Sequence, residues 1–410
     1  MPCDSGATGP LAGLRIIDMS TILAAPFASQ IVADYGAEVI KIEPPGGDVF
    51  RLAGARRSPL MGPVFIHANR NKRSIVIDAR SDRGRDTILK LCASAHAFLH
   101  NVRPGAMARL GLSYPDVARV SPAIVYLNLV GYGGQGPYAG RPAYDDLIQG
   151  VSGLAATFTM SGAEHPRFVP AVIADRISGM SAAHALMAAL LHQQRTGQGQ
   201  AVEVPMFETL AQMVLGDHLG GLSFQPAAGP KGYDRLTTPN RRPYPTRDGH
   251  ICVLIYTDRQ WQTFFEAIGR SDIWQNDPRF ASQASRARHY SDAYGMLADF
   301  LAERTTGEWL TLLQAHDLPA VPVNQIEDLL DDPHLRASGF LADVEHPTEG
   351  PMVQMGIPQA FSATPANIYR HAPNPGEHSV QILAESGVSA AEIDDLLGAD
   401  VVQQFNPIST

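Results

Sequence analysis

Short, almost wholly apolar runs alternate with stretches of helical periodicity through the first half of the chain. Runs at residues 15–19, 38–43, 74–78, 97–100 and 124–130 read as buried strands, and residues 26–35 and 82–95 between them carry helical spacing. Pro26 stands in the first turn of the earlier helix, where its missing N–H is no loss. Alternation of this kind predicts a parallel sheet of about five strands or more, covered by helices. A short strand at 201–205 is expected on the outside of the sheet, because Pro205 cannot donate to a ladder.

The pattern breaks between residues 218 and 249, where Gly220, Gly221, Pro226, Gly229, Pro230, Gly232, Pro239, Pro243 and Pro245 interrupt any period; this stretch reads as a linker. Beyond it come a strand at 250–256, a helix opening near Thr257 and Asp258 with Trp261, Phe264, Phe265 and Ile268 on one face, and helices at 291–303 and 306–316. Residues 338–365 carry short apolar runs among prolines and glycines, and 389–397 form a last amphipathic helix. A chain of 410 residues exceeds the size at which one core usually keeps growing. The expected organisation is a large α/β domain at 1–217, a linker at 218–249, a small α+β domain at 250–335, and a C-terminal segment at 336–410 that returns to the large domain.

Charge and composition narrow the function. A net charge of −9 argues against a general polyanion-binding surface, so nucleic acid is not an expected partner. Cys3, Cys92 and Cys252 are far apart and odd in number, which suggests reduced thiols in a cytoplasmic protein. No apolar run has the length of a membrane span, and the first twenty residues lack the apolar core of an export signal. The first strand-to-helix crossing, residues 18–26, contains no glycine, so the sheet is Rossmann-like without a dinucleotide fingerprint or a phosphate-binding P-loop. The fourteen histidines show no paired helical spacing around an acid, so no metal site is expected, and no Gly-x-Ser-x-Gly elbow follows a strand.

One carboxylate stands out. Asp175 heads a helix in which Met180, Ala183, Leu186, Met187, Leu190 and Leu191 recur at helical spacing before Gly197 ends it. The positive end of a helix favours an ionised carboxylate, which can attack an activated carbonyl. The same position also suits a plain helix cap, and local pattern alone does not choose between them.

Several segments together resemble the class III CoA-transferases, the family of formyl-CoA transferase and carnitine CoA-transferase that also contains α-methylacyl-CoA racemase. They are residues 11–20, 34–43, Asn71-Lys72-Arg73-Ser74-Ile75, Asn101-Val102-Arg103-Pro104-Gly105, the glycine-rich Gly131-Tyr132-Gly133-Gly134-Gln135-Gly136-Pro137, Tyr144-Asp145, and 175–199. Residues 248–249, 277–280 and 321–324 extend the resemblance into the small domain. It implies an interlocked homodimer, each chain a ring threaded by the other, acting on an acyl-CoA and a free carboxylic acid with no tightly bound cofactor. It also implies that Asp175 is the nucleophile, passing through a mixed anhydride to an aspartyl-CoA thioester. The helix position is then expected to help keep Asp175 ionised.

The remaining site residues follow from the same resemblance. Backbone N–H groups at Gly133 and Gly134 are oxyanion donors or simply make a turn. Tyr144 stands where the racemase branch has a histidine, which favours transfer over α-proton exchange, and Asp145 is either catalytic or a helix cap. Lys72, Arg73, Asn101, Arg103 and Arg109 are the candidates for CoA binding, each weighed against a solvated surface charge. Residues 238–243 replace the glycine-rich small-domain loop of the formyl-CoA enzymes, and Arg241 or Arg242 is the candidate clamp for a second carboxylate on the acid. The alternatives are an acyl-CoA isomerase or a non-catalytic CoA-binding protein.

Overall fold

A computed structural model describes residues 6–406. The chain forms two compact units. The larger comprises the chain up to Ser152, Val169–Gln212 and the residues from Pro333; the smaller comprises Gly153–Phe168 and Met213–Asp332.

Six parallel strands carry the larger unit: β1 (Arg15–Met19), β2 (Glu38–Glu43), β3 (Lys72–Ile77), β4 (Ala97–His100), β5 (Val125–Val130) and β6 (Gln200–Pro205). Their order across the sheet is 3-2-1-4-5-6, and the two-residue strand Val402–Gln403 adds antiparallel to β3. The chain therefore winds outward in both directions from the β1/β4 pair, leaving a switch point between them. Strands β3 and β4 are buried at every residue, which is why they read as continuous apolar or neutralised runs. β6 alternates and lies at the edge, where Pro205 is tolerated. Residues 338–365, read as short apolar runs among prolines and glycines, contain the antiparallel hairpin Leu341–His346 with Gly350–Met355.

Helix α1 (Ala24–Asp34) follows β1, and α2 (Asp82–Cys92) follows β3. Helix α3 (Asp145–Val151) precedes the long α4 (Ile173–Thr196), which Gly197 closes in the left-handed conformation. Helices α1 and α4 approach closely through alanines 24, 25 and 28 on one and 182 and 183 on the other, all buried. At Gly179 the approach is closest: a Cβ there lies 2.5 Å from the Ala24 carbonyl oxygen. Met180 and Leu191, which share the helical spacing, are exposed, while Ala182, Ala183, Leu186 and Leu190 form the buried side of α4.

The smaller unit is built on an aromatic core of Trp261, Phe264, Phe265, Phe280 and Trp309. The helix Asp258–Ala267 begins at a capping box of Thr257 and Gln260, as the sequence signals. The stretch at 218–249 is not a bare linker. Asp234–Thr237 forms a helical turn, and Tyr244–Pro245 pairs with His250–Val253, whose other neighbour is Ala320–Pro322. Short local periods interrupted by proline hide such elements from a pattern search.

Replacing Gly179 with valine is expected to cost about 1–3 kcal/mol, since a backbone carbonyl cannot step aside. Gly150, with open space at its Cβ, serves as the control: Gly150→Ala is expected to be neutral or mildly stabilising. Urea unfolding midpoints check both, and equal midpoints for the two variants contradict the packing argument.

Candidate active site

The loop after β1 is fixed from below by buried charge. Lys72 Nζ lies 3.1 Å from Asp18 Oδ2 and also donates to the Pro26 carbonyl and Asn69 Oδ1. Lys41 Nζ pairs with Asp48 at 3.0 Å and donates to the Ser20 carbonyl at 2.8 Å. Arg51 forks onto Glu43 through Nε and Nη2, at 2.6 and 2.7 Å. All six of these side chains are closed to solvent. Burial pushes the Asp18 carboxyl up, but Lys72, Lys41 and the hydroxyls of Ser20 and Ser29 outweigh it and hold it below the ordinary range. Burial brings Lys72 down to about 8, with Asp18 opposing the shift.

Above this web, Ile22 adopts a left-handed backbone with φ of 72°, an outlying conformation for a β-branched residue. Its N–H donates to Asp48 Oδ1 at 3.2 Å. Asn101, just past β4, clamps the preceding residue from both sides: Oδ1 accepts from Thr21 N at 3.0 Å and Nδ2 donates to Thr21 O at 2.8 Å.

A cavity of about 700 Å³ opens here, at the carboxyl ends of the parallel strands. Thr21 and Ile22 line it from the end of β1, Asn101 and Arg103 from β4, Gly131 and Tyr132 from β5 and Glu203 from β6. This is the switch point of the sheet, the usual ligand crevice of open α/β folds. Asp175, Tyr144, Gly134 and Arg109 also reach its wall, as does Arg141, which the sequence reading passed over. The Arg141 guanidinium lies 4.2 Å from the centre of the Tyr138 ring. Its place one residue past Gly140, in the loop after a central strand, was the available signal.

Asp175 is the third residue of α4 and caps nothing; the N-cap is Val172. The capping carboxylate comes from α3 instead, where Asp145 Oδ1 accepts from Asp175 N at 3.0 Å and Oδ2 accepts from Gln149 at 2.7 Å. Both aspartates are buried. Burial raises the Asp175 carboxyl, the charge of Asp145 adds to the rise, and Arg176 opposes it, leaving Asp175 at about 7. Desolvation and a like charge thus oppose the ionised form that the helix end is expected to favour.

Other expected contacts are redistributed. Lys72 and Arg73 belong to β3 itself and do not reach the cavity. Lys72 is spent in the buried web, and Arg73 pairs with Glu38 and Glu385. The amide hydrogens of Gly133 and Gly134 already have carboxylate acceptors, Glu208 at 3.0 Å and Glu203 at 2.8 Å, so they are not free for an oxyanion in this arrangement. Arg241 and Arg242 are exposed in the smaller unit. Among the described residues no cluster of histidine, cysteine or carboxylate side chains has the geometry of a metal site.

An α/β crevice with a buried carboxylate and arginines on its wall suits an anionic ligand. The chain belongs to CoA-transferase family III, whose model matches residues 11–379, and it is a CoA-transferase. It is 32% identical over 94% of its length to the whole of the probable fatty acyl-CoA transferase Rv3272 of Mycobacterium tuberculosis. It is 31% identical over 92% of its length to the succinate–glutarate CoA-transferase of Agrobacterium fabrum, covering 95% of that protein. The crystal structure of Rv3272 superposes with a TM-score of 0.78 at 29% identity, over 92% of this chain and all of that one.

The raised Asp175 carboxyl has a consequence for stability. In the unfolded chain it titrates near 3.8, so between that value and 7 the native state holds a proton the unfolded state lacks, and stability falls as pH rises. Asp175→Asn, neutral throughout, is expected to melt at a higher temperature than the wild type at pH 8. The gap should close toward pH 4; a gap independent of pH contradicts the assignment.

Proposed function

We infer that the enzyme moves CoA from an acyl-CoA thioester to a free carboxylic acid, with Asp175 as the covalent carrier. The observation that supports it most is the Asp175 carboxylate on the wall of the cavity at the sheet's switch point, beside Asp145. In the first step an Asp175 oxygen attacks the thioester carbonyl. The carbon–sulfur bond breaks, its electron pair leaves on the CoA thiolate, and a mixed anhydride remains. The thiolate then attacks the aspartyl carbonyl, expelling the donor acid as its carboxylate and leaving an aspartyl-CoA thioester. The acceptor carboxylate repeats both steps in reverse and restores Asp175. No proton is gained or lost over the cycle.

Arg103, Arg109 and Arg141 are the cations proposed for the CoA phosphates, since all three line the cavity and none is held in an ion pair among the described residues. Tyr144, 62% exposed at the start of α3, is placed to contact the acyl group. Asn101 acts through Thr21, by holding the wall. Succinate and glutarate in the name of the Agrobacterium relative favour a dicarboxylic acid here. A homodimer of interlocked chains fits the exposed Leu147, Val151, Met180 and Leu191 on α3 and α4. A cytoplasmic setting fits Cys92 and Cys252 as free thiols; Cys3 lies outside the described residues. No described helix is long and apolar enough to cross a membrane.

One observation favours a second reading: two adjacent carboxylates, one with its pKa lifted by burial and then by the other's charge, are also the pattern of an acid–base pair for α-proton exchange. The two readings part on one substitution. Asp175→Ala is expected to lower transfer by at least about 1000-fold with little change in acyl-CoA binding, because it removes the only covalent route. Wild-type enzyme is expected to leave the α-proton of the acyl-CoA unexchanged in deuterated buffer. Transfer surviving in Asp175→Ala, or rapid exchange without transfer, sinks the carrier role. For Asp145→Asn, the acid limb of the pH–rate profile is expected to move to lower pH, since the charge that raises Asp175 is gone.

A further inference from the structure

We propose that Glu203 and Glu208 are positioning residues for acyl-CoA: together they latch the glycine-rich loop after β5, so that it carries Arg141 to the cavity wall. The inference rests on the assignment of Arg141 to the CoA phosphates.

Residues 131–143 form a loop whose two ends touch, and a Cβ on Gly131 would collide with that of Ala143, so the closure needs glycine. Gly131, Tyr132, Gly134, Ala139, Gly140 and Arg141 of this loop all line the cavity. Residues 134–142 are exposed, so burial does not hold them in place.

Two carboxylates do. Glu203 of β6 accepts from Gly134 N at 2.8 Å, and Glu208, in the first turn of the helix Met206–His218, accepts from Gly133 N at 3.0 Å. Their approach again needs glycine, since a Cβ on Gly133 would lie 2.8 Å from Glu208 Oε1 and one on Gly134 3.2 Å from Glu203 Oε2. Neither glutamate has a cationic partner among the described residues, so the loop amides are what these carboxylates hold. A bond from an amide to an ionised carboxylate is among the stronger hydrogen bonds.

From the latch to Arg141 the chain runs through closed turns. Gly136 N donates to Gly133 O at 3.3 Å, Ala139 N to Gly136 O at 3.1 Å, and Arg141 N to Tyr138 O at 3.1 Å. The Tyr138 ring, which backs the Arg141 guanidinium, meets Tyr132 edge-on at 5.6 Å, and Tyr132 meets Phe207 at the same distance. Phe207 N also donates to Gly131 O at 3.0 Å. The segment that carries Glu208 therefore anchors both the start of the loop and the aromatic support of its arginine. A loop held in this way loses less freedom when a ligand binds to it.

The test uses the full-length enzyme, with calorimetry for CoA binding and transfer kinetics for KM and kcat. The double variant Glu203→Ala with Glu208→Ala is expected to weaken CoA binding and raise KM for acyl-CoA by about tenfold or more, with kcat nearly unchanged. Glu203→Gln with Glu208→Gln keeps an acceptor oxygen for each amide and is expected to stay within about twofold of wild type in both. In an Arg141→Ala background the alanine pair is expected to add nothing further, because what it positions is gone. Weakening by the alanine and glutamine pairs alike, or tighter binding in either, assigns the effect to charge and overturns the latch. So does an alanine pair that weakens binding equally with and without Arg141, or one that binds CoA normally while Arg141→Ala does not. Normal CoA binding by Arg141→Ala alone sinks the assignment of Arg141 to CoA, and the inference with it.

Discussion

Six charges shut away from solvent beneath the first crossing loop form the constraint on which the cavity depends. Lys41, Arg51 and Lys72 are matched by Asp18, Glu43 and Asp48, three against three, on and just after the first three strands. Such a web is costly to desolvate and gives little net stability over an apolar core, but removing one member strands its partner, at about 3–5 kcal/mol. What it provides here is position. Asp48 and Lys41 hold the backbone at Ile22 and Ser20, and Asn101 holds Thr21, so a strained turn becomes a preformed wall. A glycine-rich phosphate loop achieves close backbone approach by having no side chains. This chain achieves a fixed turn with buried ion pairs.

The same economy of position governs the Asp175 carboxylate on the cavity wall. Asp145 does for α4 what Asp175 was expected to do for itself, accepting a first-turn N–H and freeing the Asp175 carboxylate for the cavity. The arrangement leaves the Asp175 carboxyl desolvated and beside a second negative charge, which together lift its pKa to about 7. A carboxylate poised there is destabilised in its ionised form, and a covalent bond to an acyl group relieves that desolvation. With Asp175 as the proposed carrier, the like charge that weakens the resting enzyme favours the acylated one.

The sheet and its outer strand were legible because burial on two faces leaves long apolar runs, and an edge leaves alternation and a proline. Asp175 and Arg103, both on the cavity wall, could be singled out from sequence because they sit at element ends, where motif and crevice coincide. Lys72 was misread for a reason that generalises: a lysine at the start of an apolar run looks like a surface charge, and only the fold brings Asp18, fifty-four positions earlier, to within 3.1 Å. The partners of Gly133 and Gly134 were hidden likewise, since Glu203 and Glu208 arrive from a distant strand and the helix that follows it.

The account turns on whether Asp175 carries the acyl and CoA groups in turn. Mass spectrometry of intact protein mixed with an acyl-CoA donor and no acceptor tests this most directly, with peptide mapping of any adduct. The predicted result is a mass gain equal to CoA less water, mapped to Asp175 and discharged by added acid. No adduct during productive turnover, or one mapped to another residue, contradicts it.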